Sequence, residues 1–362
     1  VNLTRQPWSL PGVFDAMTGS VRVRQELDAG WQWTTQYGAQ RLKTDDRLTF
    51  GFGPNTSNVP NGLSYNSNGD YDLYDYRSEN ERRLVDALQT ELSGQLRTGN
   101  FLHELAFGVQ RQRQLDRLSP MQSYNPVATA NVSGGIYGAA DPQLTYSNTN
   151  RSEYSTEFSV KDKVQLSSKT NLWLGLRHVE YNRGSVQNQP ANTHPVQYSG
   201  HMNLPWVGLS TTLAGLNIYG SHGHGIEPLI VPNAAASFSN PGEQLGVGRS
   251  RQSELGVKSM ASSETQWHAT LFQIARPLTY DVYDPNSWLN TRYLDGTQTH
   301  QGIELGANWA ERQWKFGTTT QWLHAKISDV AQNPSLVGTT PLNVPKFVLR
   351  GMAEYRYTSV PG

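Results

Sequence analysis

Apolar and polar residues alternate along most of the chain with a period of two, which predicts β-strands. The clearest example is RSRQSELGVK, residues 249–258, and HQGIEL, residues 300–305, repeats the pattern about one hairpin later. We expect the two kinds of position to lie on opposite faces of the wall. In residues 249–258 the expected apolar positions are Leu255 and Val257, and the expected polar positions are Gln252, Glu254 and Lys258.

Thirteen segments show this alternation. They are residues 15–27, 31–50, 81–97, 101–115, 151–166, 170–182, 199–213, 216–225, 250–260, 265–277, 297–310, 314–327 and 344–357. The connections between them are alternately short and long. The short ones are 28–30, 98–100, 167–169, 214–215, 261–264 and 311–313, and the long ones are 51–80, 116–150, 183–198, 226–249, 278–298 and 328–343. This rhythm predicts an up-and-down antiparallel meander with tight turns at one end and long loops at the other.

Two kinds of protein have strands with one apolar and one polar face. In a soluble sandwich the apolar face packs on a protein core, whereas in an outer-membrane barrel it meets lipid and the polar face lines a wet lumen. The alternation of short and long connections favours the barrel, with short periplasmic turns and long extracellular loops.

Tryptophan placement is an independent indication. Six of the tryptophans lie next to short connections: Trp31, Trp33, Trp173, Trp267, Trp309 and Trp314. Because an indole ring prefers the boundary between acyl chains and water, we interpret them as an aromatic girdle on the periplasmic side. The alternative is that tryptophan is simply common at strand ends.

Composition limits the function classes. The 362 residues carry 30 basic and 30 acidic side chains, so there is no basic excess for nucleic acid, and there is no cysteine for a disulfide framework or thiolate site. No apolar run approaches the roughly 20 residues of a membrane helix. This criterion does not detect barrel strands, in which only alternate residues are apolar. Residues 1–12 show no signal peptide and Val1 is not an initiator methionine, so we expect a fragment or a processed product.

The long loops carry the candidate ligand contacts, because tyrosine and tryptophan combine a rigid apolar body with one polar tip. These candidates are Tyr71, Tyr74, Tyr76, Tyr124, Tyr137, Tyr283 and Trp288. The alternative is a compact surface loop packed on its own aromatic residues. No catalytic motif occurs, so we expect no enzyme and no catalytic residue. His222 and His224 form a weak metal candidate without a third ligand, and we expect no metal site.

Several motifs in order resemble the barrel of TonB-dependent siderophore receptors. They are TGNFLHELAFGVQ (98–110), GLRHVEY (175–181), LSTTLAGLNIYGSHGHGIEP (209–228), RSRQSELGVK (249–258), TLFQIARP (270–277), HQGIEL (300–305), NVPKF (343–347) and AEYRY (353–357). The resemblance implies a 22-stranded outer-membrane barrel around an N-terminal plug, which takes up ferric siderophores with energy from TonB. Its implied partners are the ferric siderophore, outer-membrane lipid and, through the plug, the TonB complex, with no covalently bound cofactor and no nucleic acid.

The chain departs from that family pattern in length. It shows no plug domain, no TonB-contacting box and no final strands, so we expect residues 1–362 to be part of the barrel domain, about 13 of 22 strands, that does not close. A passive porin or adhesin barrel is the first alternative, and a soluble secreted β-protein that binds carbohydrate is the second. The ligand stays open among hydroxamate, catecholate and citrate-type chelates, haem and cobalamin.

Overall fold

The computed structural model of the protein describes residues 5–52, 66–134, 136–188, 195–234, 237–259 and 265–357. Nearly all of the described chain is β-strand. The strands are β1 (Val13–Glu26), β2 (Gln32–Phe52), β3 (Asp70–Thr98), β4 (Phe101–Arg117), β5 (Met121–Asn131), β6 (Tyr146–Ser147), β7 (Thr149–Gln165), β8 (Thr170–Gln187), β9 (Val196–Leu213), β10 (Leu216–Ile230), β11 (Gln244–Ser259), β12 (Thr265–Asp284), β13 (Leu289–Glu311), β14 (Trp314–Ser328) and β15 (Phe347–Tyr355). Two short 3-10 turns, Asp28–Gly30 and Pro334–Leu336, complete the regular structure. No helix in these ranges is long and apolar enough to cross a bilayer.

The strands form one antiparallel meander in the order β1-β2-β3-β4-β7-β8-β9-β10-β11-β12-β13-β14-β15. Each of the thirteen predicted segments corresponds to one of these strands. β5 and β6 lie off this path, and β5 pairs with the first part of β3. In the described residues β1 and β15 each have a single neighbour, so the sheet is open, as expected for a partial barrel.

The register divides the sheet into two faces. Cα partners stand on the same side, so the pairing of Leu255 with Leu271, and of Leu271 with Ile303, extends one apolar row across neighbouring strands. Leu255 is 58% exposed, and its neighbour Glu254 points to the other side. The predicted register of residues 249–258 is therefore confirmed. We call these sides the apolar face, which carries Leu88, Phe107, Phe158, Leu209, Leu255 and Leu271, and the polar face, which carries Glu91, Glu157, Lys161, Arg177, Gln252 and Glu254.

Ion pairs between neighbouring strands cover much of the polar face. Lys163 lies 2.9 Å from Glu104, and Arg183 lies 3.0 Å from Glu153. Other ion pairs lie on the apolar face. Asp162, a polar exception in an otherwise apolar row, meets His103 Nδ1 at 2.8 Å. Its carboxylate thus has a polar partner on a face that is largely apolar.

The tryptophans of the predicted aromatic girdle lie at the apolar face near the tight turns, with one exception. Trp309 stacks on Phe316 at 5.4 Å, and Trp314 stacks on Phe316 at 5.6 Å. Trp33 and Trp267 lie on the same face, and Trp31 contacts it at Gly94. The assignment of Trp173 to the girdle is wrong. Its Cα partner is Lys163 of the polar face, and the Lys163 ammonium lies 5.2 Å from the indole centre.

The strands continue beyond the apolar face at the end opposite the tight turns, which we call the loop-side end. Residues 278–298 were expected as a loop, but most of them extend the β12–β13 hairpin after a register shift between Pro277 and Thr279. Residues 70–80, also expected as a loop, begin β3 and pair with both β2 and β5. Buried residues gather there, including Tyr71, Leu73 and Ala130.

Candidate ligand-contacting site at the loop-side end

Four aromatic rings meet where β2, β3 and β5 extend past the apolar face. We call Phe50, Tyr74, Tyr76 and Tyr124 the aromatic cluster. Tyr74 and Tyr124 stack with ring centres 4.6 Å apart, and Phe50 meets Tyr76 edge to face at 5.5 Å. The register explains this, because Phe50 is opposite Tyr74 and Tyr76 is opposite Tyr124. The three predicted tyrosines are thus brought together on one patch.

The opposite side of the same extension is a small core. Tyr71 is 4% exposed and packs with Leu73 and Ala130. Asp75 is fully buried and pairs with Arg77 at 2.9 Å. Tyr71 therefore helps to hold the extension together, and in this conformation it presents no face to a ligand.

Burial also sets the chemistry of the aromatic cluster. Desolvation raises the pKa of Tyr74, Tyr76 and Tyr124 above the ordinary tyrosine value. The phenols therefore stay neutral at all physiological pH values and keep their protons for hydrogen bonding. The cluster offers a rigid apolar surface with hydroxyl donors, a combination that binds large ligands at little cost in side-chain entropy.

Tyr283 and Trp288 stand at the tip of the β12–β13 hairpin. Both side chains are exposed, Trp288 at 77%. The turn is held by Asp284, whose carboxylate accepts hydrogen bonds from the Asn286 backbone and the Ser287 hydroxyl. These bonds lower the pKa of Asp284, with the Asn286 backbone the largest cause. The tip is therefore an ordered turn that carries two exposed rings.

Further hydrogen bonds anchor this hairpin to the segment before β11. Arg292 makes a bidentate ion pair with Asp281, at 2.7 and 2.8 Å, and its guanidinium lies 5.1 Å from the centre of the Phe238 ring. Asn240 donates to the Arg292 backbone at 3.0 Å. The hairpin is thus fixed against a second loop rather than standing alone.

Tyr137 lies in the segment between β5 and β6 and is 74% exposed. Gln6 fixes this segment on both sides, donating to the Ile136 carbonyl at 2.8 Å and accepting from the Gly138 backbone at 2.8 Å. No ring contact among the described residues joins Tyr137 to the aromatic cluster or to the hairpin tip. The seven predicted residues therefore form one cluster of three, one buried residue and three exposed rings.

A recess of about 570 Å³ on the polar face was not predicted. Trp206 lies against Gly175 at its base, so closely that a Cβ on that glycine would stand 2.1 Å from the indole nitrogen. Arg177, Lys161 and Glu254 line the recess. Arg177 pairs with Glu157 at 3.4 Å and Lys161 with Glu91 at 3.3 Å, so these cations already have partners. The positive and negative charges around the recess are therefore paired, and its lining can be hydrated.

Phe50 and the Trp206 recess are the parts of the site that sequence reasoning missed. Phe50 lies at the end of a predicted strand, and only the pairing of β2 with the first part of β3 brings it to Tyr74. The recess depends on small residues beside Trp206, and the Gly-x-Gly pattern at 223–225 was the available signal.

No third ligand joins His222 and His224, the weak metal candidate, among the described residues. The rings meet edge to face at 5.2 Å, and His222 Nδ1 is hydrogen-bonded to Ser253 at 2.8 Å. In the part of the chain that the structure describes, no group of three or more histidines and carboxylates is arranged to hold a metal ion.

The chain matches the family model described as TonB dependent receptor-like, beta-barrel, over residues 2–361. The chain belongs to the TonB-dependent receptor β-barrel family. Barrels of this family are bacterial outer-membrane proteins, so the apolar face described above is the kind of surface that meets lipid. No curated protein matches the chain.

Solved receptors show the same fold. The chain is similar to BauA, the ferric preacinetobactin receptor from Acinetobacter baumannii, with 19% identity and a TM-score of 0.72 over 94% of this chain and 49% of that one. It is similar to the closed form of Fiu, the ferric-catecholate import receptor from E. coli K12, with 16% identity and a TM-score of 0.75 over 98% and 53%. It is also similar to PiuA, a siderophore receptor from Acinetobacter baumannii, with 15% identity and a TM-score of 0.73 over 94% of this chain and 52% of that one. The chain spans about half the length of these receptors.

Proposed function

We propose that residues 1–362 belong to the β-barrel domain of an outer-membrane receptor that imports a ferric siderophore, with the ferric chelate as transported ligand. The family match over residues 2–361 carries this proposal. The two-faced wall supports it, because its apolar face suits lipid and its ion-paired polar face suits an aqueous lumen. The named structural neighbours are receptors for iron chelates and give no support to a passive porin or a carbohydrate-binding protein.

The aromatic cluster is the proposed chelate contact within this chain. Tyr74, Tyr76 and Tyr124 are at the loop-side end, where a ligand from outside the cell arrives first in an outer-membrane barrel. They offer flat ring faces and neutral hydroxyl donors. The exposed Tyr137, Tyr283 and Trp288 are proposed as secondary contacts from neighbouring loops. Tyr71 supports the contact indirectly, because its buried ring packs in the small core on the opposite side of the strand extension.

Energy for uptake is proposed to come from the TonB complex through a plug domain, as the family resemblance implies. We assign no TonB contact to the described residues. We therefore propose that uptake needs the proton-motive force delivered through TonB. A strain without TonB should show no uptake.

The test is uptake of radioactive iron by cells that carry the complete receptor and no competing receptor. Ferric hydroxamate, catecholate and citrate-type chelates are offered separately, with haem and cobalamin as comparison ligands. We expect uptake of at least one ferric chelate that disappears in a strain without TonB. Uptake that is equal with and without TonB, or uptake of none of the ligands, would refute the proposed function.

A pair of variants locates the contact. Tyr124→Ala removes a ring from the aromatic cluster, and we expect roughly tenfold weaker binding of the transported chelate, as for a typical aromatic contact. Tyr355→Ala removes a ring from the turn-side girdle, whose centre lies 4.6 Å from that of Trp314 at a tilt of 50°, and is expected to leave affinity unchanged. Equal affinities of the two variants would place the contact elsewhere.

A further inference from the structure

The polar face changes character from one group of strands to the next. On β7 and β8 its charged side chains form ion pairs, with Glu157 next to Arg177 at 3.4 Å and Glu153 next to Arg183 at 3.0 Å. On β2, β3 and β4 the same level of the wall is built largely from glutamine. We call the following six residues the glutamine patch: Gln36, Gln40, Gln89, Gln110, Gln112 and Gln114.

The register makes the glutamine patch continuous. Gln36, Gln89 and Gln110 are Cα partners in one row across three strands. Gln112 and Gln114 continue the patch toward the loop-side end, where their Cα partners on β3 are an alanine and a valine. None of these positions is charged. The patch is therefore a neutral area inside a wall that is otherwise rich in ion pairs.

The amides of the patch are largely available for hydrogen bonding. Gln36 accepts two hydrogen bonds from the Arg22 guanidinium, at 3.0 and 2.7 Å. The other five amides make no hydrogen bond with any residue that the structure describes. Gln40 and Gln89 are exposed, and the remaining three are half-buried. Since each amide carries N–H donors and a carbonyl acceptor, the patch offers both kinds of partner to a ligand.

The glutamine patch lies below the aromatic cluster on the same strands. The Ser78 hydroxyl donates to Glu81 at 2.6 Å, and Glu81 is opposite Thr44 on the polar face. Tyr76 is two residues from Ser78 in β3 and therefore shares its side of the sheet. After the register shift between Thr44 and Asp46, the aromatic cluster thus continues the polar face. A ligand that moves inward from the cluster reaches the patch after passing Glu81.

The described parts of β2, β3 and β4 offer no unpaired cation on the polar face between the aromatic cluster and Glu91. Arg83, the cation on this route, lies 2.7 Å from Glu81. Glu91, at the inner border of the patch, pairs with Lys161 at 3.3 Å. An anionic ligand would lose water here without gaining a charged partner, whereas a neutral ligand has no such cost.

We propose that the glutamine patch is a second contact surface for the transported chelate, and that this chelate is a neutral complex with amide groups at its surface. Hydroxamate groups balance the charge of ferric iron, whereas catecholate and citrate-type groups leave the complex anionic. The patch therefore favours a hydroxamate-type chelate over the other two classes. The inference rests on the proposed function and narrows its ligand class.

The test measures ligand binding to the complete receptor by quenching of its tryptophan fluorescence. The ligands are ferrichrome, which is a neutral peptide trihydroxamate, a ferric tris-catecholate and ferric dicitrate. The test variant is Gln89→Leu with Gln110→Leu, which removes two neighbouring amides at nearly constant volume. The matched control is Gln298→Leu with Gln321→Leu, two polar-face glutamines of β13 and β14 outside the patch.

We expect the unaltered receptor to bind ferrichrome about tenfold more tightly than either anionic complex. The test variant should bind ferrichrome about tenfold more weakly, as for two lost hydrogen bonds, while the control keeps the affinity. Tighter binding of an anionic complex, or equal losses in both variants, would overturn the proposal. Unchanged affinity of the test variant would also overturn it, and a simultaneous fall in its thermal midpoint would assign the patch to contacts within the receptor.

The ligand class and the proposed function fail separately. TonB-dependent uptake of an anionic chelate, with weak binding of ferrichrome, would refute the neutral ligand class and leave the proposed function standing. Tight, patch-dependent binding of ferrichrome without TonB-dependent uptake would support the patch and count against the proposed function. Binding of none of the three complexes would refute both.

Discussion

Trp267 and Trp206 are the same residue type on opposite faces of one wall. Trp267 lies on the apolar face opposite Ala307, half-exposed near the tight turns. Trp206 lies on the polar face, pressed against Gly175 and close to Gly223. The first ring is placed to meet the membrane boundary, whereas the second fills a gap in the protein's own surface. The face, which the register sets, decides what an aromatic residue does here.

The largest expected effect comes from placing a charge on the apolar face. Leu255→Arg puts a guanidinium into lipid and should lower the free energy of unfolding by about 2–4 kcal/mol. Gln252→Arg adds the same group to the polar face and should change it by less than about 0.5 kcal/mol. The measurement is urea-induced unfolding of the complete receptor in lipid vesicles. Equal losses for both variants would remove the distinction between the faces.

The His103–Asp162 pair tests an exception on the apolar face. Asp162→Ala leaves His103 without its partner among apolar neighbours and should cost about 1–3 kcal/mol. The double variant His103→Leu with Asp162→Leu removes both polar groups and should come within about 1 kcal/mol of the unaltered protein. A double-mutant cycle on unfolding free energies checks this. A double variant as unstable as the sum of both single changes contradicts the assignment of this pair to a lipid-facing surface.

Glycine substitutions test the polar face in the same way. Gly175→Ala places a methyl group against the Trp206 ring and should destabilise the protein by about 1–3 kcal/mol. Gly38→Ala on β2 meets nothing within 4 Å and should be neutral or slightly stabilising. Thermal unfolding of both variants is the measurement. If Gly175→Ala is as well tolerated as Gly38→Ala, Trp206 does not rest on this glycine.

The smallest effect concerns the loop-side extension, beyond both faces. The Gln332 and Ala331 backbone N–H groups donate to Asp295 and lower its pKa below the ordinary 3.8. When folding lowers the pKa of a group, the stability it contributes is fully present above the pKa of the unfolded state. That stability is lost as the pH falls through the pKa of the folded state. The segment after β14 should therefore stay protected above pH 3.8 and open below it. Hydrogen exchange at Ala331 and Gln332 measures this, and Asp295→Asn should abolish the pH dependence.

The wall was predictable from sequence because a two-residue period identifies both the strands and their faces. Residues 249–258 were assigned to the correct register for this reason. Trp173 was misplaced because nearness to a turn does not determine which face a residue occupies. β5 was missed because Pro126 and two asparagines weaken its pattern, and because its partner, the first part of β3, was itself expected as a loop. Three of the four aromatic-cluster residues were predicted, but their meeting depends on that non-local pairing.

The central claim is that neighbouring residues of one strand face lipid and water, and two single cysteines test it most directly. Residues 1–362 contain no cysteine, so Leu255→Cys and Glu254→Cys give clean positions in this chain for a nitroxide label. In the complete receptor in a bilayer, collision rates with oxygen and with a water-soluble nickel chelate are measured by electron paramagnetic resonance. We predict that position 255 meets oxygen and excludes the chelate, and that position 254 meets the chelate. The reverse order, or equal access at both positions, would contradict the two-faced wall.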